Sequence, residues 1–156
     1  MMRFTALFGV VVLAACQPAA QSPSVSTSPA PMAARASSGS MAATLSQLRA
    51  DQGLGPVVEN TRLSRAAAAH AQDMVALNYF SHTGFEGSSF TDRARAAGYD
   101  CAAAENIAYG QDTQGEVVVG WMNSPGHRRN ILLADATEIG VGRVGTMWVL
   151  MMGRGC

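Results

Sequence analysis

The chain closes on a nearly unbroken apolar run, Met147 to Met152, preceded by Glu138 to Val144 and joined to it through Gly145-Thr146. A short continuous run of this kind predicts a strand covered on both faces, and the tight link predicts a hairpin. Upstream, the hydrophobic period lengthens to that of a helix. Leu63, Ala67, His70, Met74 and Leu77 fall on one stripe of a helix predicted over 62–78, with Thr61 as its cap. The alanines from Ala66 to Ala69 let another element come close to it. Leu45 and Leu48 mark a first helix over 41–52, ended by Gly53. Val57 and Val58 pack locally. Tyr79 and Phe80 are expected to bury as the chain leaves the second helix. Thr91 is read as the cap of a short helix over 92–97, closed by Gly98. Thr113 and Glu116 form a capping box for a helix carrying Val117, Val118, Trp121 and Met122, which Pro125 stops. His127 then opens a short turn containing Ile131 and Leu132.

The N-terminal stretch follows a different pattern. Met1-Met2-Arg3 is a short basic start, Phe4 to Leu13 an apolar run, and Leu13-Ala14-Ala15-Cys16 a small-residue end. It resembles a bacterial lipoprotein signal, which implies removal of residues 1–15 and lipid attachment at Cys16; an ordinary cleaved signal is the alternative. At ~0.8 kcal/mol per buried methylene, two or three acyl chains anchor durably where one does not. Gln17, where an acidic residue would favour retention in the inner membrane, points to the periplasmic side of the outer membrane if the cell is Gram-negative. Gln17 to Ser40 is Pro-, Ser-, Ala- and Thr-rich with Arg35 as its one charge. It cannot bury enough surface to offset its chain entropy and is expected to be a disordered tether. The folded domain is placed at 41–156, with length for one domain.

Formal net charge is zero and 14% of residues are charged, which excludes a nucleic-acid footprint. The expected partners are the membrane, through Cys16, and an unidentified envelope ligand or protein; the chain is expected to be a monomer. With Cys16 acylated, Cys101 and Cys156 remain in an oxidising compartment, where a disulfide between them is expected. Two free thiols are the alternative. A nucleophilic Cys101 has no His or Asn neighbour to support it.

Three polar positions stand out. Glu105 lies among alanines, in a segment read as loop, and a carboxylate there must be paired, coordinated or perturbed in pKa. His70 lies on the buried helical stripe and reads as a hydrogen-bonded core residue. Arg93 and Arg95 read as a solvated face.

Five segments, taken in order, resemble the CAP superfamily of cysteine-rich secretory, antigen five and pathogenesis-related proteins, also called SCP-like, in its bacterial extracytoplasmic branch. They are Ala69–Met74, Tyr79–His82, Ala104–Ala108, Trp121–Leu132 and Ile139–Gly142. The resemblance implies an α+β fold, a three-layer α-β-α sandwich around a central antiparallel sheet. It also implies a cleft holding two histidines and two acids. His82 matches the first histidine, Glu105 the first acid and His127 the second histidine. Ser124 stands where the second acid belongs, and neither Glu116 nor Glu138 can be placed in the cleft from the sequence. His70, Asn106 and Ser124 are expected to support the site.

Two imidazoles and a carboxylate make a first shell for Zn²⁺ or another divalent cation, with water as the fourth ligand. The same three residues, His82, Glu105 and His127, are the catalytic candidates if the protein is a metal-dependent hydrolase. Glu105 as a ligand leaves no general base, and the missing acid argues against hydrolysis. Ser124 lacks an oriented partner for a serine triad. The reading taken forward is a lipid-anchored binding protein; the rivals are the hydrolase and a purely structural or partner-docking domain.

Overall fold

The computed structural model describes residues 39–156. The expected signal at 1–15, the lipidation position Cys16 and the tether up to residue 38 lie outside the described residues. The Ser40 hydroxyl caps the first helix, and Gln114 donates to the Gly39 carbonyl at 3.0 Å.

In chain order the elements are α1 (Met41–Ala50), β1 (Val58–Glu59), α2 (Thr61–Ala76), α3 (Phe90–Ala96), β2 (Ala102–Tyr109), α4 (Gln114–Asn123), α5 (Pro125–Ile131), β3 (Glu138–Val144) and β4 (Met147–Gly153). The sheet order is β1-β3-β4-β2. Pairing is antiparallel except at β1, which adds two residues parallel to β3. Strands β3, β4 and β2 are antiparallel as expected, and β1 adds a short parallel edge.

The apolar run of β4 explains the three layers. Successive side chains point to opposite faces. Trp148, Leu150 and Met152 join a core with α1, α4 and α5; Met147, Val149 and Met151 join a second core with α2 and α3. Among the described residues, no helix is long and apolar enough to cross a membrane.

Several local expectations change. Asn60, not Thr61, caps α2, its side chain accepting from the Arg62 and Leu63 amides. Ser89 and Asp92 form the capping box of α3, so Thr91 lies inside that helix. Leu77 and Phe80 are exposed because α2 ends at Ala76 and Asn78 turns left-handed, at φ 52°. Asn tolerates that region better than most residues. Val57 is buried, whereas Val58 starts the edge strand and faces outward. Glu105 lies on strand β2, not in a loop, and His127 lies within the helix α5.

Cys101 and Cys156 are both free thiols, so the expected disulfide is not formed in this structure. The two thiols are neighbours, and the influence of Cys156 raises the Cys101 pKa.

Candidate functional site

The cleft is built around the outer edge of β2. Alternation along that strand sends neighbouring side chains to opposite faces. Glu105 sits opposite Met151 and Asn106 opposite Leu150, so Glu105 faces the α2–α3 side and Asn106 the α4–α5 side.

On the first face, Glu105 is closed in by two donors. His82 Nδ1–H donates to Oε1 at 2.9 Å and Arg93 Nη2 donates to Oε2 at 2.8 Å. The Glu105 side chain is 1% exposed, Arg93 11% and His82 54%. A carboxylate so buried is held by pairing, and both of its oxygens are already committed. Arg93 also donates to the His82 carbonyl at 2.9 Å and to the Ser88 carbonyl at 2.7 Å, tying the 82–88 loop to α3. His70, buried on α2, donates from Nε2–H to the Ser81 carbonyl at 2.9 Å and so fixes the residue before His82.

On the second face, Asn106 donates to the His127 carbonyl at 3.1 Å and accepts from Asn130 at 2.8 Å. Asn130 also donates to the Glu105 carbonyl at 3.2 Å. These bonds latch α5 onto the backbone of the edge strand. Burial pushes the His127 imidazole pKa down, and the neighbouring His82 pushes it further. The His127 ring makes no hydrogen bond to the described residues.

The fit of a metal follows from these contacts. His82 is near enough to His127 to lower its pKa, but Glu105 is spent on His82 Nδ1 and on a guanidinium that would repel a cation beside it. Among the described residues no group of three or more His, Cys, Asp or Glu side chains is arranged to hold a metal. His82, Glu105 and His127 therefore do not form a three-ligand set. A divalent ion is left the two imidazoles, with Glu105 behind His82 as the carboxylate that fixes its tautomer.

The supporting residues divide. His70 and Asn106 each bond backbone at the cleft, at the Ser81 and His127 carbonyls. Ser124 is the hinge between α4 and α5, and its hydroxyl makes no capping bond. Glu116 is spent on the α4 capping box, while Glu138 accepts from Asn60 and Tyr99, so neither acid replaces the missing one. Sequence reasoning missed Arg93 and Asn130. The signal for Arg93 was Glu105 itself, a buried acid needing a cation in a chain with few charges. Asn130 carried no signal apart from the shared segment.

Burial, then the nearby Arg93 charge, pushes the His70 pKa below the ordinary histidine value. The unfolded chain takes up that proton near pH 6.5, before the folded protein does, so His70 favours folding above about pH 6.5 and this contribution fades as the pH falls toward its folded pKa. His70→Gln should show a smaller drop in Tm between pH 7 and pH 5 than the parent protein.

Fold and cleft together define an α-β-α domain of SCP type. The model of the Cysteine-rich secretory protein family, CAP, matches residues 43–147, and the chain belongs to that family. It is 47% identical over 103 residues to Bacillus subtilis YkwD, covering 64% of this chain and 40% of that protein. It is 38% identical over 96 residues to the B. subtilis membrane protein YlbC, covering 61% and 28%. The chain thus spans well under half the length of these relatives. Among solved structures, an extracellular SCP-domain protein from Bacillus anthracis superposes with a TM-score of 0.70 at 27% identity, over 73% of this chain and 39% of that one. An outer surface protein from Borrelia burgdorferi superposes with a TM-score of 0.67 at 23% identity, over 74% and 90%, and shares the fold.

Proposed function

We propose that this chain is an extracytoplasmic binding protein of the cell envelope, lipid-anchored through Cys16, that holds a small ligand between His82 and His127 at the edge of β2. One observation carries the reading: Glu105, 1% exposed, spends its carboxylate on orienting a half-exposed His82. With Nδ1–H fixed inward, the other ring nitrogen of His82 is left for a ligand. Location outside the cytoplasm is supported by the extracellular B. anthracis neighbour and the membrane protein YlbC.

Zn²⁺ or another divalent ion would use the two imidazoles, and bound there would supply a Lewis acid. Zinc titrated calorimetrically into chelator-treated full chain is expected to bind. The His82→Ala/His127→Ala double variant should bind at least about tenfold more weakly, a loss of about 1.4 kcal/mol. Equal binding by both proteins would remove the site. The hydrolase reading draws on the same oriented imidazole, which has the form of a general base. It requires turnover of an envelope peptide or ester that disappears in Glu105→Gln at unchanged fold.

We further propose that Cys101 and Cys156 oxidise to a disulfide in an oxidising compartment. Cys156 is close enough to Cys101 to raise its pKa, and in the chain-entropy model a loop of this length is worth about 4 kcal/mol. Oxidised protein should therefore unfold at a higher denaturant concentration than reduced protein. Labelling of both thiols in air-exposed, denatured, non-reduced protein would count against the bond.

A further inference from the structure

A second cavity lies between α2 and α3 and shares only His70 and Arg93 with the cleft residues described above. Its volume is about 770 Å³, and Arg65, His70, Asp73 and Arg93 line it together with Ala66, Ala69, Ala96, Ala97 and Gly98. That size is within the range of small-molecule sites, ~300–1,000 Å³.

Two of its lining residues carry unsatisfied polar atoms. His70 Nδ1 and Arg93 Nε are buried and have no hydrogen-bond partner. His70 is 1% exposed and its Nε2–H is committed to Ser81, so Nδ1 presents a lone pair. Arg93 Nε presents an N–H. One acceptor and one donor left unpaired in this way are destabilising until something supplies the complement. A peptide group carries both complements, an N–H for His70 and a C=O for Arg93, and reaches them by parting the side chains that bury the two atoms.

The charges at the two ends of the groove add direction. Arg65 and Asp73 are eight positions apart on α2, about 12 Å along the axis at 1.5 Å per residue. Arg65 is engaged by one bond, to the Ala97 carbonyl at 3.3 Å. One Asp73 oxygen accepts from the Tyr79 hydroxyl, leaving the other for a ligand. The cation lies toward the N-terminal end of α2 and the anion toward its C-terminal end, which is the unfavourable order for the helix's own dipole. A ligand running antiparallel to that order, carboxylate at Arg65 and ammonium at Asp73, complements both. Three extended residues span about 10 Å. The alanine and glycine walls leave room for small side chains.

We propose that the α2–α3 groove binds a short peptide with free termini, its amino end at Asp73, its carboxylate at Arg65 and a central peptide group at His70 and Arg93.

The test uses trialanine as the probe, titrated into the full chain and followed by amide NMR. Trialanine is expected to shift the amides of Ala66, Ala69 and Ala97. Acetyl-trialanine-amide, which lacks both end charges, should bind at least about tenfold more weakly, and Arg65→Ala and Asp73→Asn should each weaken trialanine by about tenfold. Ala69→Phe fills the groove from an exposed position, so a folded spectrum with no binding is expected there. The His82→Ala/His127→Ala variant should bind trialanine normally, which separates this site from the cleft. Absence of shifts with trialanine, equal affinity for the blocked peptide, or unchanged binding by Ala69→Phe would overturn the proposal and leave water as the occupant.

Discussion

Replacing Arg49 with Met is expected to cost about 5 kcal/mol of folding stability, because it removes a buried cation and strands several carbonyls at once. Arg49 is fully buried. Its Nε donates to the Gly55 carbonyl, its Nη1 to Ile131 and Leu133, and its Nη2 to Ala136, each at 2.8 Å. These acceptors come from the turn after α1, from the last residue of α5 and from the segment joining α5 to β3. The planar fork reaches them all, and the positive charge sits against the carbonyl end of α5. Methionine has similar length and no donors. Arg49→Lys keeps the charge but concentrates its donors at one point, so it should fall between the two. The effect reaches function, since α5 carries His127 and Asn130. Urea unfolding of the three proteins checks the order, and the zinc titration checks the cleft. A loss below about 1 kcal/mol for Arg49→Met would mean that water reaches the stranded carbonyls.

The position of Arg49 was written in the spacing. Met41, Leu45 and Arg49 recur every four residues on one face of α1, and Met41 and Leu45 are buried with it. Hydrophobic patterning passes over such a residue because it scores charge as solvent-facing. Arg93 was misread for the same reason. The repetitive elements were more legible: β4 needed apolar residues on both faces, and the Thr113–Glu116 box marked the start of α4. Strand β2 was not legible. Its alanines give no β signal, and its two central polar side chains, Glu105 and Asn106, are stabilised by groups distant in sequence rather than by water. His82, Glu105 and His127 could be named from resemblance, but not their arrangement. The division of the cleft across an edge strand depends on the β2–β4 register, and with it whether Glu105 is a ligand or an orienter.

The glycines of β3 support the second large prediction. Gly140 and Gly142 point to one face of the strand, toward α2. A Cβ built at Gly140 would fall on the backbone of Leu63 and Ser64, and one at Gly142 on the backbone of Ala67 and Ala68. The spacing matches: two strand residues advance about 6.7 Å and four helical residues about 6 Å, so each glycine meets a successive turn. This is the close approach that the alanine run from Ala66 to Ala69 was expected to permit. Backbone cannot rotate aside as a side chain can, so Gly140→Ala or Gly142→Ala must lift the helix. Each is expected to cost about 3 kcal/mol, and the pair should bring a domain of ordinary stability, ~5–15 kcal/mol, close to unfolding. Gly120→Ala is the control. A Cβ there meets nothing within 4 Å, and in the middle of α4 alanine should add about 0.5–1 kcal/mol. Lifting α2 also carries His70 away from the Ser81 carbonyl, and with it the support behind His82. Gly142→Ala, studied at a temperature where it remains folded, should therefore weaken zinc binding, whereas Gly120→Ala should leave it unchanged. If Gly142→Ala lost stability yet bound zinc normally, His82 would be held by Glu105 and Arg93 alone, and the His70–Ser81 bond would serve only the fold.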